Sequence, residues 1–161
     1  MYAGFAIGQG WDAGVLLDTD KAGHAAKQKI DELYVSQLAT DKAQRFRTFM
    51  LGKAVGSRQT DFAIEDIFPA GFYLDCVNTA FGLAIRAEDL PVDGSDMITK
   101  RVEQVLIAKY SHKELDKRRV MGEMLRRFDK WQKASDLPRD AVTKAEKLFK
   151  AVNAAFAAEV T

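Results

Sequence analysis

The sequence predicts an α/β fold: a partial parallel sheet with flanking helices, followed by a helical carboxyl-terminal extension. Three observations carry this. Ala13-Gly14-Val15-Leu16-Leu17 is a short apolar run that closes on Asp18 and leads into a helical pattern, the usual opening of an α/β unit. A second short run, residues 45–51, alternates Phe46, Thr48 and Met50 against Arg45, Arg47 and Phe49, and its β-branched and aromatic content suits a strand. Beyond Met97 the apolar positions recur only at helical spacing.

Taken in order, residues 1–10 read as a short apolar or helical lead ended by Gly8 and Gly10. The glycines at 8, 10 and 14 lack the spacing of a dinucleotide-binding loop. After the first strand, Ala22, Ala26, Ile30, Leu33 and Leu38 mark the inner face of a crossover helix over residues 21–39, so the two strands should pair in parallel. Residues 52–59 form a loop rich in Gly, Lys and Arg. The stretch from Thr60 to Pro69 then gathers Asp61, Glu65 and Asp66 among Phe62, Ile64 and Ile67. The apolar neighbours look buried, so Glu65 and Asp66 need a cation or a donor, and on the residues alone helix capping is the favoured answer to that need. Pro69 starts a helix striped by Phe72, Tyr73, Cys76, Val77, Ala80 and Ala84. Residues 88–96 are a turn-forming boundary. Three amphipathic helices follow. The first spans residues 97–110; the second, 114–131, carries Met121, Met124, Leu125 and Phe128; the third runs from Asp140 to about residue 158, after a break at 135–139, with Ala141, Ala145, Leu148, Phe149, Val152 and Phe156 as a packing stripe.

Forty-seven per cent hydrophobic content in 161 residues can bury one core plus a helical appendage. No apolar run approaches a membrane span and no signal-peptide pattern opens the chain, so the expected location is the cytoplasm, with no membrane partner. Cys76 is the single cysteine and sits on a helical apolar face, which reads as packing. Net charge is +1, but residues 1–96 hold 9 basic and 14 acidic side chains while residues 97–161 hold 15 and 9. An acidic part able to hold metal beside a basic part able to meet phosphate suits an enzyme acting on nucleic acid; ordinary solvated helices would look similar.

The candidate chemistry starts at Asp18-Thr19-Asp20. Active groups of α/β sheets stand at the carboxyl ends of strands, and positions two apart point the same way, so both carboxylates can converge on a hard divalent cation such as Mg²⁺ or Mn²⁺. The alternative is equally physical: Asp20 N-caps the following helix and Asp18 is a surface acid. His24, one turn along that helix, reads as an exposed helix residue, and His112 carries still less.

The whole phrase Leu16-Leu17-Asp18-Thr19-Asp20-Lys21-Ala22-Gly23, followed by an Ala- and Lys-rich helix, resembles the second motif of the Toprim family of topoisomerases, primases and nucleases. Haloacid dehalogenase phosphatases also open with Asp-x-Asp, but usually carry Thr or Val where this chain has Ala22, and Gly23 favours Toprim. Ala63-Ile64-Glu65-Asp66-Ile67-Phe68-Pro69 after a basic loop is similar to the Toprim segment of the OLD family of ATP-dependent endonucleases. That resemblance implies a Toprim-like metal-binding core over residues 1–90 and a helical extension over 97–161. It implies Asp18, Asp20 and Glu65 as ligands of Mg²⁺ or Mn²⁺, with Ala63 replacing a hydroxyl residue of the family motif. It also implies a catalytic Lys about fifty residues past the Glu, where Lys113 and Lys117 are candidates and Lys117 has the better spacing.

The implied activity is phosphodiester hydrolysis of DNA, with Glu65 and Lys117 in catalysis and Lys117, Arg118 and Arg119 meeting phosphates. The basic side chains of that helix, Arg126 and Arg127 included, read equally as a solvated face. An ATPase domain or subunit is the implied partner, since the chain has no Gly-x-x-x-x-Gly-Lys-Ser/Thr loop. Toprim enzymes also carry a Glu ahead of the Asp-x-Asp strand, and residues 1–12 contain none. The chain alone is therefore expected to be nearly inactive, either as a fragment or as a remnant whose sheet edge is covered by a partner or by homodimerisation. Two other readings stand beside this one: a noncatalytic interaction module on the same fold, and a primase- or topoisomerase-type unit, for which no context nominates Tyr34, Tyr73 or Tyr110 as nucleophile.

Overall fold

A computed structural model of the chain describes residues 7–33, 35–37, 45–110 and 114–157. Tyr34, Leu38, His112 and Lys113 lie outside the described residues. The chain is α/β and mostly helical, with a two-stranded parallel sheet and six helices among the described residues. It forms two compact units, one running to Ala63 and resuming at Glu146, the other from Ile64 to Ala145. No helix among the described residues is long and apolar enough to cross a membrane.

In the first unit, β1 (Ala13–Leu17) and β2 (Phe46–Met50) pair in parallel with Ala13 opposite Phe46 and Leu17 opposite Met50. Parallel pairing needs a long crossover, which α1 (Lys21–Leu33) supplies. The helix is shorter than its apolar spacing predicts: it ends at Leu33 and a 3-10 turn, Val35–Gln37, follows. Ala26 and Ile30 are half-buried as expected, while Ala22 is exposed. β2 runs straight into a one-turn helix, α2 (Leu51–Ala54), where the sequence reads as loop. In the middle of β1, a Cβ at Gly14 would stand 3.1 Å from the Phe49 ring and 3.3 Å from that of Phe156, so a glycine in mid-strand lets these two rings pack at 6.0 Å between centroids. Trp11, just ahead of β1, is exposed.

The second unit opens with a 3-10 turn, Ile64–Ile67, and continues through α3 (Ala70–Phe81), α4 (Ile98–Tyr110), α5 (Lys117–Phe128) and the start of α6 (Arg139–Ala157). Pro69 is the N-cap of α3, and Gly82 ends it in a left-handed conformation at φ 67°. Asn78 then brackets the backbone of Ile85, accepting from its N–H and donating to its carbonyl, both at 2.8 Å. The core joins Tyr73, Cys76 and Val77 of α3 to Val102 and Leu106 of α4 and Val120 and Met124 of α5. Beside it four rings pack together: Phe68, Phe72, Phe128 and Trp131, with Phe128 and Trp131 at 4.9 Å.

Three expectations from apolar spacing are corrected. Ile64 is 44% exposed, because the 3-10 turn points it away from the buried Glu65, Asp66 and Ile67. On α5 the buried positions are Val120, Glu123 and Met124, leaving Met121 and Leu125 facing outward. Phe149 on α6 is 65% exposed.

Gly23 is the most tightly enclosed glycine among the described residues. A Cβ there would lie 1.8 Å from the Asp18 carbonyl oxygen, a backbone atom that cannot swing aside. Alanine normally stabilises a helix relative to glycine, but overpacking costs about 1–3 kcal/mol and exceeds that gain. Gly23→Ala is therefore expected to lower the urea midpoint; an unchanged or raised midpoint would show that α1 does not seat this closely on Asp18.

Candidate functional site

Asp18, Thr19 and Asp20 form the turn that leaves the carboxyl end of β1, and all three are half-buried. The turn is held by three hydrogen bonds to two partners. Thr19 and Phe62 exchange two backbone hydrogen bonds of 2.7 Å each, an isolated antiparallel bridge. The Gly52 N–H at the head of α2 donates to Thr19 Oγ1 at 2.7 Å. A side chain on Gly52 would meet that same Oγ1 at 2.9 Å and Phe62 Cβ at 3.0 Å, so the contact requires glycine. The backbone between the two aspartates is thus fixed before either carboxylate is considered.

Asp20 serves as a helix cap: its Oδ1 accepts from the Gly23 N–H at 2.6 Å, the bond an N-cap carboxylate makes to the third helical residue. That bond uses one of its two oxygens. His24 is exposed and joins the helix through its N–H to the Asp20 carbonyl at 2.9 Å.

In the second unit the 3-10 turn presents Glu65 and Asp66, both more than nine-tenths buried by residue. Asp66 Oδ1 accepts from the Ile98 N–H at 2.8 Å and so caps α4, while Lys144 Nζ donates to the Asp66 carbonyl at 2.7 Å. Glu65 Oε1 lies 3.4 Å from Lys117 Nζ, so the two residues that the resemblance nominates for catalysis form an ion pair. Lys117 is the first residue of α5, placed there by its N-cap Asp116, which accepts from the N–H groups of Arg118 and Arg119.

The other basic residues of α5 divide sharply. Glu123 is buried between two guanidiniums, Arg126 at 2.7 Å and Arg127 at 3.1 Å, and Arg127 also donates to the Asp75 carbonyl and lies over the Phe72 ring. Arg119 stacks over Phe81 at 4.9 Å. Arg127 therefore acts in packing, Arg126 lies exposed with its guanidinium held by Glu123, and Lys117, Arg118 and Arg119 remain as the exposed basic cluster at the head of the helix.

Burial, with the nearby charges of Glu65 and Asp66, pushes the Tyr73 phenol far above the ordinary tyrosine range, and its hydroxyl has no hydrogen-bond partner. A phenol so held stays neutral, so Tyr73 is not an activated nucleophile. Burial likewise raises the Cys76 thiol, against an opposing pull from Arg127, which agrees with its place in the core.

Among the described residues no group of three or more His, Cys, Asp or Glu side chains forms a ready metal cage. The donors at the end of β1 still fit Mg²⁺ or Mn²⁺ chemistry: hard carboxylate oxygens on a fixed turn, for ions that usually take one or two protein carboxylates and fill the remaining positions with water and substrate phosphate. Sequence reasoning singled out both aspartates but not Thr19 and Gly52, which hold the turn that carries them. A Thr between two Asp and a Gly after a strand carry no signal until the fold brings them together. No protein-family model, curated protein or solved structure matches the chain.

The cap and the charge of Asp20 can be separated. Asp20→Ala is expected to cost about 1 kcal/mol of stability, whereas Asp20→Asn, an equally good cap, should stay within a few tenths. Equal losses in thermal unfolding would mean that the carboxylate charge, and not the capping bond, stabilises the turn.

Proposed function

We propose that the chain is a Toprim-like, metal-dependent nuclease portion of an OLD-type endonuclease, hydrolysing DNA phosphodiesters with Asp18, Asp20 and Glu65 as ligands of Mg²⁺ or Mn²⁺. The observation that carries this reading is the Asp18-Thr19-Asp20 turn, two carboxylates on a backbone clamped at the carboxyl end of a parallel strand. When bound, divalent ions of this kind lower the pKa of water and offset charge on a leaving oxygen. The residues of the chain do the rest. Thr19 keeps the two carboxylates in fixed register, since its backbone and hydroxyl are both engaged. Asp20 spends one oxygen on Gly23 and keeps the other available. Lys117 brings a cation to Glu65 and would offset charge developing on a phosphate. An ATPase domain or subunit would supply nucleotide hydrolysis.

A second reading is a noncatalytic interaction module. It is favoured by the same contacts: Asp20 caps a helix and Glu65 is paired with Lys117, roles that need no metal.

Titration calorimetry with Mn²⁺ separates the two. Asp18→Ala and Glu65→Ala are each expected to weaken binding by more than about tenfold, as removal of a ligand should exceed the effect of removing an outer-shell partner. Asp20→Asn, which keeps the cap, should weaken it as well. Affinity untouched by these changes would favour the noncatalytic module.

DNA binding should fall steeply with salt and depend on the head of α5. Replacing Lys117, Arg118 and Arg119 together with Ala is expected to flatten the slope of log affinity against log salt by about one unit for each phosphate that is no longer neutralised. A slope identical to that of the native chain would return these residues to an ordinary solvated face.

A further inference from the structure

The outward face of α5 is apolar in the middle and oppositely charged at its two ends. Positions 118, 122, 125 and 129 are spaced four, three and four residues apart, which at 3.6 residues per turn sets them along one line, with Met121 beside it. Leu125 is 53% exposed and Met121 41%. Gly122 between them has nothing within 4 Å of the place a Cβ would occupy, so it is a notch open to the outside. Arg118 stands exposed at the start of the line and Asp129, the C-cap of the helix, stands exposed at its end.

This pattern is complementary to itself. Turning a second α5 end for end about the midpoint between Glu123 and Met124 sets Leu125 into the Gly122 notch, twice by symmetry, and sets Arg118 against Asp129, again twice. Met121 falls opposite Arg126, whose guanidinium is held by Glu123 at 2.7 Å and whose methylene stem is left to cover the thioether. The spacing of four and three is that of a two-helix seam, and the equal offsets of the two charges from one midpoint are what an isologous contact requires.

We propose that this face of α5 is the docking site for a second copy of the chain, paired antiparallel about a two-fold axis. A nucleic acid fits the face poorly: Arg118 would suit a phosphate, but Asp129 would repel one and Leu125 and Met121 would stay exposed. A single helix face buries less than the roughly 1,200–2,000 Å² of stable complexes, so the dimer is weak and concentration-dependent. In it Arg118 faces Asp129 of the partner subunit, which leaves Lys117 and Arg119 as the cations that can turn to phosphate. The proposal goes beyond the nuclease reading and does not depend on it, because its readout is mass in solution and not metal or DNA.

Sedimentation velocity of the full chain over a wide concentration range tests it. The native chain should show a reversible monomer–dimer equilibrium. Arg118→Asp alone and Asp129→Arg alone each put like charges opposite one another and should weaken the dimer by more than about tenfold. The double variant should restore it, and an equimolar mixture of the two single variants should associate more tightly than either does alone. Gly122→Gln, which fills the notch where nothing is crowded, should abolish the dimer while leaving the helical circular dichroism signal intact. A native chain that stays monomeric throughout, or single variants that associate as the native chain does, would overturn the proposal. So would failure of both the double variant and the mixture to recover association.

Discussion

Three hydrogen bonds of 2.7 Å meet at Thr19, and the first unit is arranged around them. A two-stranded sheet is marginal in isolation. Here the chain leaving β1 is tied through Thr19 to Phe62 and to the head of α2, so the end of the sheet is closed where it would otherwise fray. Gly23 and Gly52 make this arrangement sterically accessible, since each lets a backbone approach where a side chain would collide. The two aspartates are carried by a turn with little freedom left to lose, which is the property a cation site needs and which a simple helix cap does not.

Acids in the second unit answer a different physical problem. A buried carboxylate is stable only when its charge is met, and each of the three is met locally: Asp66 by the first N–H of α4, Glu123 by two guanidiniums, Glu65 by Lys117. Two of these contacts reach far along the chain, from the 3-10 turn to α4 and to α5. They tie those helices to the turn beside the packing of the apolar core, and they give the buried acids of the unit their partners.

Much of the architecture could be read from periodicity. Val15, Leu17, Phe46 and Met50 announce two strands, the helical interval between them announces parallel pairing, and Cys76 and Val77 announce the buried face of α3. Periodicity failed where burial is decided by partners. Glu123 is inside because Arg126 and Arg127 accompany it, and its place on the inner face turns Met121 and Leu125 outward; no hydropathy pattern assigns a glutamate to a core ahead of a leucine. Ile64 failed for a related reason, since a 3-10 turn has three residues per turn and breaks the alternation that a strand would have kept. At the candidate site the carboxylates were legible as a motif, but the atoms that immobilise them were not, because Thr19, Gly52 and Phe62 are brought together only by the fold.

The two tryptophans, Trp11 and Trp131, fall one to each unit. Trp11 is largely in water, while Trp131 is half-buried against Phe128 and Phe72. Their indoles therefore sit in surroundings of different polarity and emit at different wavelengths, the exposed ring further to the red. The molecule carries an intrinsic optical label on each half of its architecture, so that the colour of its fluorescence, followed through denaturation, distinguishes two units that melt as one from two that melt in sequence.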